Sequence, residues 1–196
     1  MLIVVRHGRT EANASGLLLG SRLDPGLDPL GRRQAEALAG AVAGARRVVT
    51  SPLRRARETA AALGLPVTVD ERWTELDYGA FDGRPVAEVP PETWARWRGD
   101  LDFSPPGGES LRQLAARVRP ACEELLAEAA DHDVVVVTHV SPIKAAVAWT
   151  LGVDDGIAWR MYSAPASVTR IGVSRAGPSL HGYNDVTHLA GLAETV

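Results

Sequence analysis

Two runs of four consecutive apolar residues, Leu2-Ile3-Val4-Val5 and Val134-Val135-Val136-Val137, constrain this chain more than any other feature. Neither has a polar side. Each is too short for a helix and lacks the alternation of a half-exposed strand, so each reads as a buried strand of a parallel sheet. Shorter strand signals at Val48-Val49-Thr50 and Val67-Thr68-Val69 alternate with helical patterns. Ser167–Val173 and Leu180–Tyr183 read as two further strands joined through Ala176-Gly177-Pro178. That alternation predicts an α/β fold with a mainly parallel sheet.

The helices announce their starts. Asp28 can cap a helix whose first position is Pro29, where a missing N–H costs nothing. Leu30, Ala35, Leu38 and Val42 follow at helical spacing, and Gly44 closes the segment. Ser51-Pro52 repeats the same start for a helix running to about Gly64. A short helix is expected near Glu92–Arg98. A longer one starts near Glu109-Ser110, with an apolar stripe from Leu111 to Leu126 and a kink predicted at Pro120. Another is expected from about Pro142 to Leu151. Gly8 to Asp28 reads as one long loop, a length that in compact domains usually serves function. With no repeat and no linker, residues 1–196 are expected to form one domain.

Composition excludes some classes of function. Hydrophobic residues make up 45% of the chain, so disorder is not expected. The net charge of −3 gives no hint of a nucleic-acid partner. No apolar run reaches about 18 residues, so no membrane partner or span is expected. The first strand starts at Met1, which leaves no room for a signal peptide, and the single cysteine, Cys122, suits a reducing cytoplasm. Cys122 lies on an apolar helix stripe and reads as core. Lys144 is the only lysine and reads as an exposed residue.

Chemistry gathers where the strands end. The first runs into Arg6-His7-Gly8, the fourth into Thr138-His139, and Arg54 follows the second, with Arg55 and Arg57 as rivals in the same turn. Ligands of open α/β sheets bind beyond the carboxyl ends of the strands, where helix amino termini add N–H groups and partial positive charge. Two arginines, two histidines and such termini suit a dianion, phosphate above all, because the guanidinium fork matches it bidentately. Thr10 and Asn13 can add neutral donors. Glu75 is the candidate proton donor and Asp77 its rival with shorter reach. These parts spell out a reaction: His7 attacks phosphorus, the cations hold the oxygens, and Glu75 protonates the departing alcohol and then activates water. The scheme needs no metal or cofactor. His132, His181 and His188 read as structural. Trp94 and Trp97, three residues apart, are either core packing or a wall for an aromatic leaving group.

Several motifs also resemble a known family. Arg6-His7-Gly8-Arg9-Thr10-Glu11-Ala12-Asn13, Ser51-Pro52-Leu53-Arg54-Arg55-Ala56-Arg57-Glu58-Thr59-Ala60, Glu75-Leu76-Asp77-Tyr78-Gly79, Pro106-Gly107-Gly108-Glu109-Ser110 and Val137-Thr138-His139 resemble, in order, the motifs of the histidine phosphatase superfamily, phosphoglycerate-mutase-like branch. The resemblance implies a three-layer α/β/α sandwich. It also implies a phosphohistidine at His7, Glu75 as proton donor, and a phosphate pocket of Arg6, Asn13, Arg54 and His139, with Val140 beside it. Arg9 stands where the family often has an acidic residue. Val140-Ser141-Pro142-Ile143-Lys144 replaces glycines found in many members and resembles the acid phosphatase and alpha-ribazole phosphatase relatives. The activity so implied is hydrolysis of a small phosphorylated metabolite. A cofactor-dependent mutase-type phosphotransferase and a non-catalytic phospholigand-binding module are the alternatives.

Overall fold

A computed structural model describes residues 1–192 of the chain; positions 193–196 of the expected single domain lie outside the described residues. The chain runs β1 (Leu2–Arg6), α1 (Glu11–Ala14), α2 (Pro29–Ala41), β2 (Ala45–Thr50), α3 (Arg54–Ala61) and β3 (Val67–Val69). It continues with α4 (Pro91–Gly99), α5 (Leu111–Asp131), β4 (Asp133–Thr138), α6 (Val140–Leu151), β5 (Val168–Ser174) and β6 (Gly177–Asp185), with short 3₁₀ turns between. Among the described residues the six strands form one sheet in the order β3-β2-β4-β1-β5-β6.

The two apolar runs sit side by side at the centre. β1 and β4 pair in parallel, Val4 opposite Val136 and Arg6 opposite Thr138. β2 joins β4 in parallel, Thr50 opposite Val137, and β3 joins β2. β5 and β6 complete the other side as an antiparallel hairpin. Successive side chains of a strand point to opposite faces. Leu2, Val4, Val134 and Val136 therefore pack under α5 and α6, and Ile3, Val5, Val135 and Val137 pack under α2 and α3. The result is the expected three-layer α/β/α sandwich.

Helix starts follow the caps in the sequence, with shifts that matter for the site. Asp28 accepts from the Gly31 amide at 2.7 Å and opens α2. Ser110 and Gln113 form a reciprocal capping box at the start of α5, which continues unbroken through Pro120. α2 ends at Ala41, ahead of Gly44. The expected long loop holds a one-turn helix, because Thr10 and Asn13 cap each other's backbone. Two starts differ from expectation. α3 begins at Arg54, with Leu53 and not Ser51 in the cap position. α6 begins at Val140, directly after His139 and ahead of the expected Pro142.

Glycine is required where β1 leaves the sheet. A Cβ on Gly8 would lie 2.4 Å from the Gly31 carbonyl oxygen, and one on Gly31 would lie 1.9 Å from that of Arg9. Real Cβ atoms do not approach so closely, so the turn carrying His7 is pressed against the first turn of α2. Gly8 also donates its amide to Thr59 Oγ1 at 3.0 Å, which ties the turn to α3.

Candidate active site

The paired register of β1, β4 and β2 brings Arg6, Thr138 and Thr50 to one edge. Immediately beyond it lie His7 and His139, both almost fully buried, with ring centroids 5.0 Å apart. His7 Nδ1 lies 2.8 Å from the Gly8 carbonyl oxygen. A carbonyl only accepts, so Nδ1 carries the proton and the Nε2 lone pair is free. Burial, then the charges of Arg55 and Arg6, hold the His7 pKa well below its ordinary value, and the Gly8 hydrogen bond does not offset them. A buried, neutral imidazole of fixed tautomer is a competent nucleophile.

His139 is neutral for the same reasons, burial first and Arg55 second. The Arg55 Nε–H can only donate, so His139 Nδ1 accepts from it at 3.2 Å, and Nε2–H is left to donate to Ser51 Oγ at 2.7 Å. His139 therefore adds no positive charge in this arrangement. Its polar role is to fix the arginine beside it.

That arginine is Arg55, which corrects the sequence expectation for Arg54. The Arg54 side chain is 64% exposed and bonds Glu58 Oε1 at 2.6 Å, while its amide donates to Asp24. Arg55 is fully buried. Besides His139, it donates to the Leu23 carbonyl at 3.0 Å and the Gly20 carbonyl at 2.8 Å. The physical reason is the later start of α3. Successive residues of a helix are turned by about 100°, so the choice of cap decides which arginine faces inward. A signal was present: Arg55, Ala56, Thr59 and Ala60 fall on one face and are all buried, whereas Arg54 and Arg57 fall on the other.

Arg6 reaches the same space. It donates to the Ser163 carbonyl at 2.6 Å, and its Nε is buried with no partner among the described residues. Burial lowers the pKa of both Arg6 and Arg55, and Glu75 pulls each back up. Glu75 is buried. One carboxylate oxygen accepts from the amides of Leu76 at 2.8 Å and Ser141 at 3.1 Å, the other from Val140 at 3.1 Å. The early start of α6 thus aims its first amides at the carboxylate. Val140, expected to bind substrate, directs its N–H at Glu75 here. Asp77 is removed as a rival, since Arg22 holds it with Nε–Oδ1 at 2.8 Å.

Thr10 and Asn13 meet each other. The Thr10 hydroxyl and amide both bond Asn13 Oδ1, at 3.0 and 3.1 Å, so the hydroxyl proton expected for the ligand is committed to the cap. With its oxygen so engaged, the Asn13 carboxamide keeps its NH₂ group as the donor. Sequence reasoning missed Ser51, which had been assigned to a helix cap, and Lys144, expected to be exposed but half-buried on α6. Trp97 is core, and Trp94 stacks on it at 5.5 Å while also lining a cleft beside Glu75. His132 pairs with Glu128 at 3.0 Å, and Cys122 is buried. Among the described residues no three His, Cys, Asp or Glu side chains are grouped to hold a metal ion, and no helix is long and apolar enough to cross a membrane.

A bifunctional protein of Mycobacterium tuberculosis is 38% identical over 178 residues, 86% of this chain and 49% of its own length. The chain thus spans about half the length of the first curated relatives it matches. Phosphoserine phosphatase 1 of Hydrogenobacter thermophilus is 34% identical over 96% of this chain and 93% of its own. Among solved structures, a mycobacterial glucosyl-3-phosphoglycerate phosphatase in complex with VO3 superposes with a TM-score of 0.84 at 32% identity, covering 93% of this chain and 98% of that one. Residues 2–186, nearly the whole described chain, match one family, and the chain belongs to it: the histidine phosphatase superfamily, branch 1.

Proposed function

We infer that this chain hydrolyses a small phosphomonoester through a phosphohistidine on His7. The observation that carries this reading is the state of His7: buried, neutral, its Nδ1 proton fixed by Gly8, beside the buried Arg55 and the half-buried Arg6. The Nε2 lone pair attacks phosphorus and the P–O ester bond breaks. Arg6, Arg55 and the Asn13 NH₂ hold the non-bridging oxygens, a role in which fixed cations do what a metal ion would otherwise do. Glu75, in its acid form, gives its proton to the leaving oxygen. As the carboxylate it then takes a proton from water, whose oxygen attacks phosphorus as the P–N bond breaks and orthophosphate leaves. One catalytic unit over residues 1–196, acting in the cytoplasm, is part of this reading, supported by the continuous sheet and the single buried thiol.

The relatives' names include phosphatases of phosphoserine and of glucosyl-3-phosphoglycerate. Alpha-ribazole 5'-phosphate and a broad acid phosphatase range remain within the proposal and belong in the same screen. The test is hydrolysis of an aryl phosphate with chelator present, together with rapid-quench detection of ³²P on the protein. Wild type should turn over and carry an acid-labile label, while His7→Ala should lose at least 10³-fold in kcat and the label. Full activity in His7→Ala overturns the mechanism. Phosphate passed to a second hydroxyl in place of water would establish the mutase alternative, and binding without turnover the non-catalytic one.

A further inference from the structure

The cleft beside Glu75 is small, with a volume of about 100 Å³, and its walls include Tyr78, Trp94, Trp159, Val140, Ser141 and Lys144. It shares Val140, Ser141 and Leu76 with the amides that hold the Glu75 carboxylate. An alcohol that takes its proton from Glu75 therefore leaves toward this cleft. Water occupies about 30 Å³ per molecule in the liquid, so the space holds roughly three waters or a chain of two or three carbons with its substituents.

Its charge is unusual. From Ser141 to Ala148, α6 is buried throughout except at Lys144, which is half-buried at the cleft wall. Every other basic residue among the 21 in the chain is arginine. Among the described residues Lys144 makes no ion pair and no hydrogen bond. An ammonium partly withdrawn from water and unpaired is costly unless a ligand completes it. The formal charges that act on it are Glu75, which favours its charged form, and Arg6, which opposes it. Lys144 lies three and four residues after the two α6 residues whose amides hold Glu75, so it stands on the same helix face one turn away, about 5.4 Å along the axis. That is the span reached by an anionic group two or three carbons from the ester oxygen.

We propose that this cleft is the leaving-group subsite and that Lys144 selects substrates whose leaving group ends in a carboxylate, as in a short phosphorylated hydroxy acid. The proposal rests on the phosphatase reading above. A compact ammonium suits so narrow a space better than the broader guanidinium fork. The Trp94 and Trp159 rings cover the carbon skeleton, and the Tyr78 and Ser141 hydroxyls, 3.5 Å apart, can serve its remaining polar group.

The experiment compares 3-phosphoglycerate with glycerol 3-phosphate, which bear a carboxylate and a hydroxymethyl group at the same place. In wild type, kcat/KM for the carboxylate should exceed that for the alcohol at least tenfold, chiefly through KM. In Lys144→Met the ratio should fall to about one, and in Lys144→Arg it should be partly restored. A ratio unchanged in Lys144→Met overturns the proposal, whether both rates hold or both fall together; in the latter case Lys144 acts through Glu75 and the pH profile should shift. A wild-type preference for glycerol bisphosphate over 3-phosphoglycerate overturns it too, by making the second anion a phosphate. Thermal unfolding of each variant separates loss of fold from loss of selectivity. Failure of wild type to hydrolyse any of the three, or an aryl phosphate, overturns the phosphatase reading itself.

Discussion

At the scale of single residues, two adjacent arginines have opposite surroundings. Arg55 is enclosed by His139, Gly20 and Leu23, whereas Arg54 lies on the surface with Glu58. Removing a preorganised donor from an active site costs about 10²–10³ in kcat. Arg55→Ala should lose that much with an aryl phosphate, and Arg54→Ala should stay within about threefold, because exposed i,i+4 pairs contribute about 0.3–0.5 kcal/mol to stability. Equal losses in the two variants would return Arg54 to the pocket. The buried histidines also predict acid sensitivity. His7 and His139 have pKa values depressed by burial and by Arg55, whereas in the unfolded chain they titrate near 6.5. Above pH 6.5 neither state binds these protons, and below it only the unfolded chain does. The stability they confer is therefore complete above about pH 6.5 and declines as pH falls, by about 1.4 kcal/mol per unit for each histidine. Urea unfolding at pH 6.5 and 5.5 should show this loss, and His139→Gln should remove about half of it. A wild-type stability equal at the two pH values would mean that the rings protonate in place.

At the scale of elements, the strand-to-helix junctions do the positioning. The turn after β1 is wedged against α2 at Gly8 and Gly31, and α6 starts one residue after β4. Overpacking a closed contact costs about 1–3 kcal/mol. Gly8→Ala should lose that much stability, a fall in Tm of several degrees for a chain of this size. It should also lower kcat by displacing His7. Calorimetry with steady-state kinetics tests both, and a variant equal to wild type in each would mean that α2 yields to the added methyl. The junction after β4 was misjudged in the sequence because Pro142 marks a helix's first turn without fixing which residue in that turn comes first. The same uncertainty at Ser51-Pro52 misplaced Arg54. At each junction a group distant in sequence decides the local geometry: His139 donates its Nε2–H to Ser51 Oγ ahead of α3, and Glu75 accepts from the first amides of α6.

At the scale of the whole molecule, three parallel strands with two helical layers deliver their ends to one edge, the proposed anion site, so filling that site should stabilise the entire fold. Ligand at one hundred times its Kd adds about 2.7 kcal/mol to a protein that binds it only when folded. Saturating orthophosphate or vanadate should therefore raise the wild-type Tm by several degrees and leave that of Arg55→Ala nearly unchanged. A shift of the same size in both would place the anion elsewhere. The sequence alone determined the sandwich, because Leu2–Val5 and Val134–Val137 have no polar face and can only be central strands, and those strands carry His7 and His139 to the edge. It also marked Glu75 as the candidate acid, and the fold buries it. Tertiary structure alone decided which arginine turns inward, that His139 is neutral, that Thr10 serves a cap and that Lys144 lines a cleft. Apolar runs are legible because burial depends on composition and period, which are local. The direction of a polar side chain depends on which distant group completes its hydrogen bonds, and that is known only once the chain has folded.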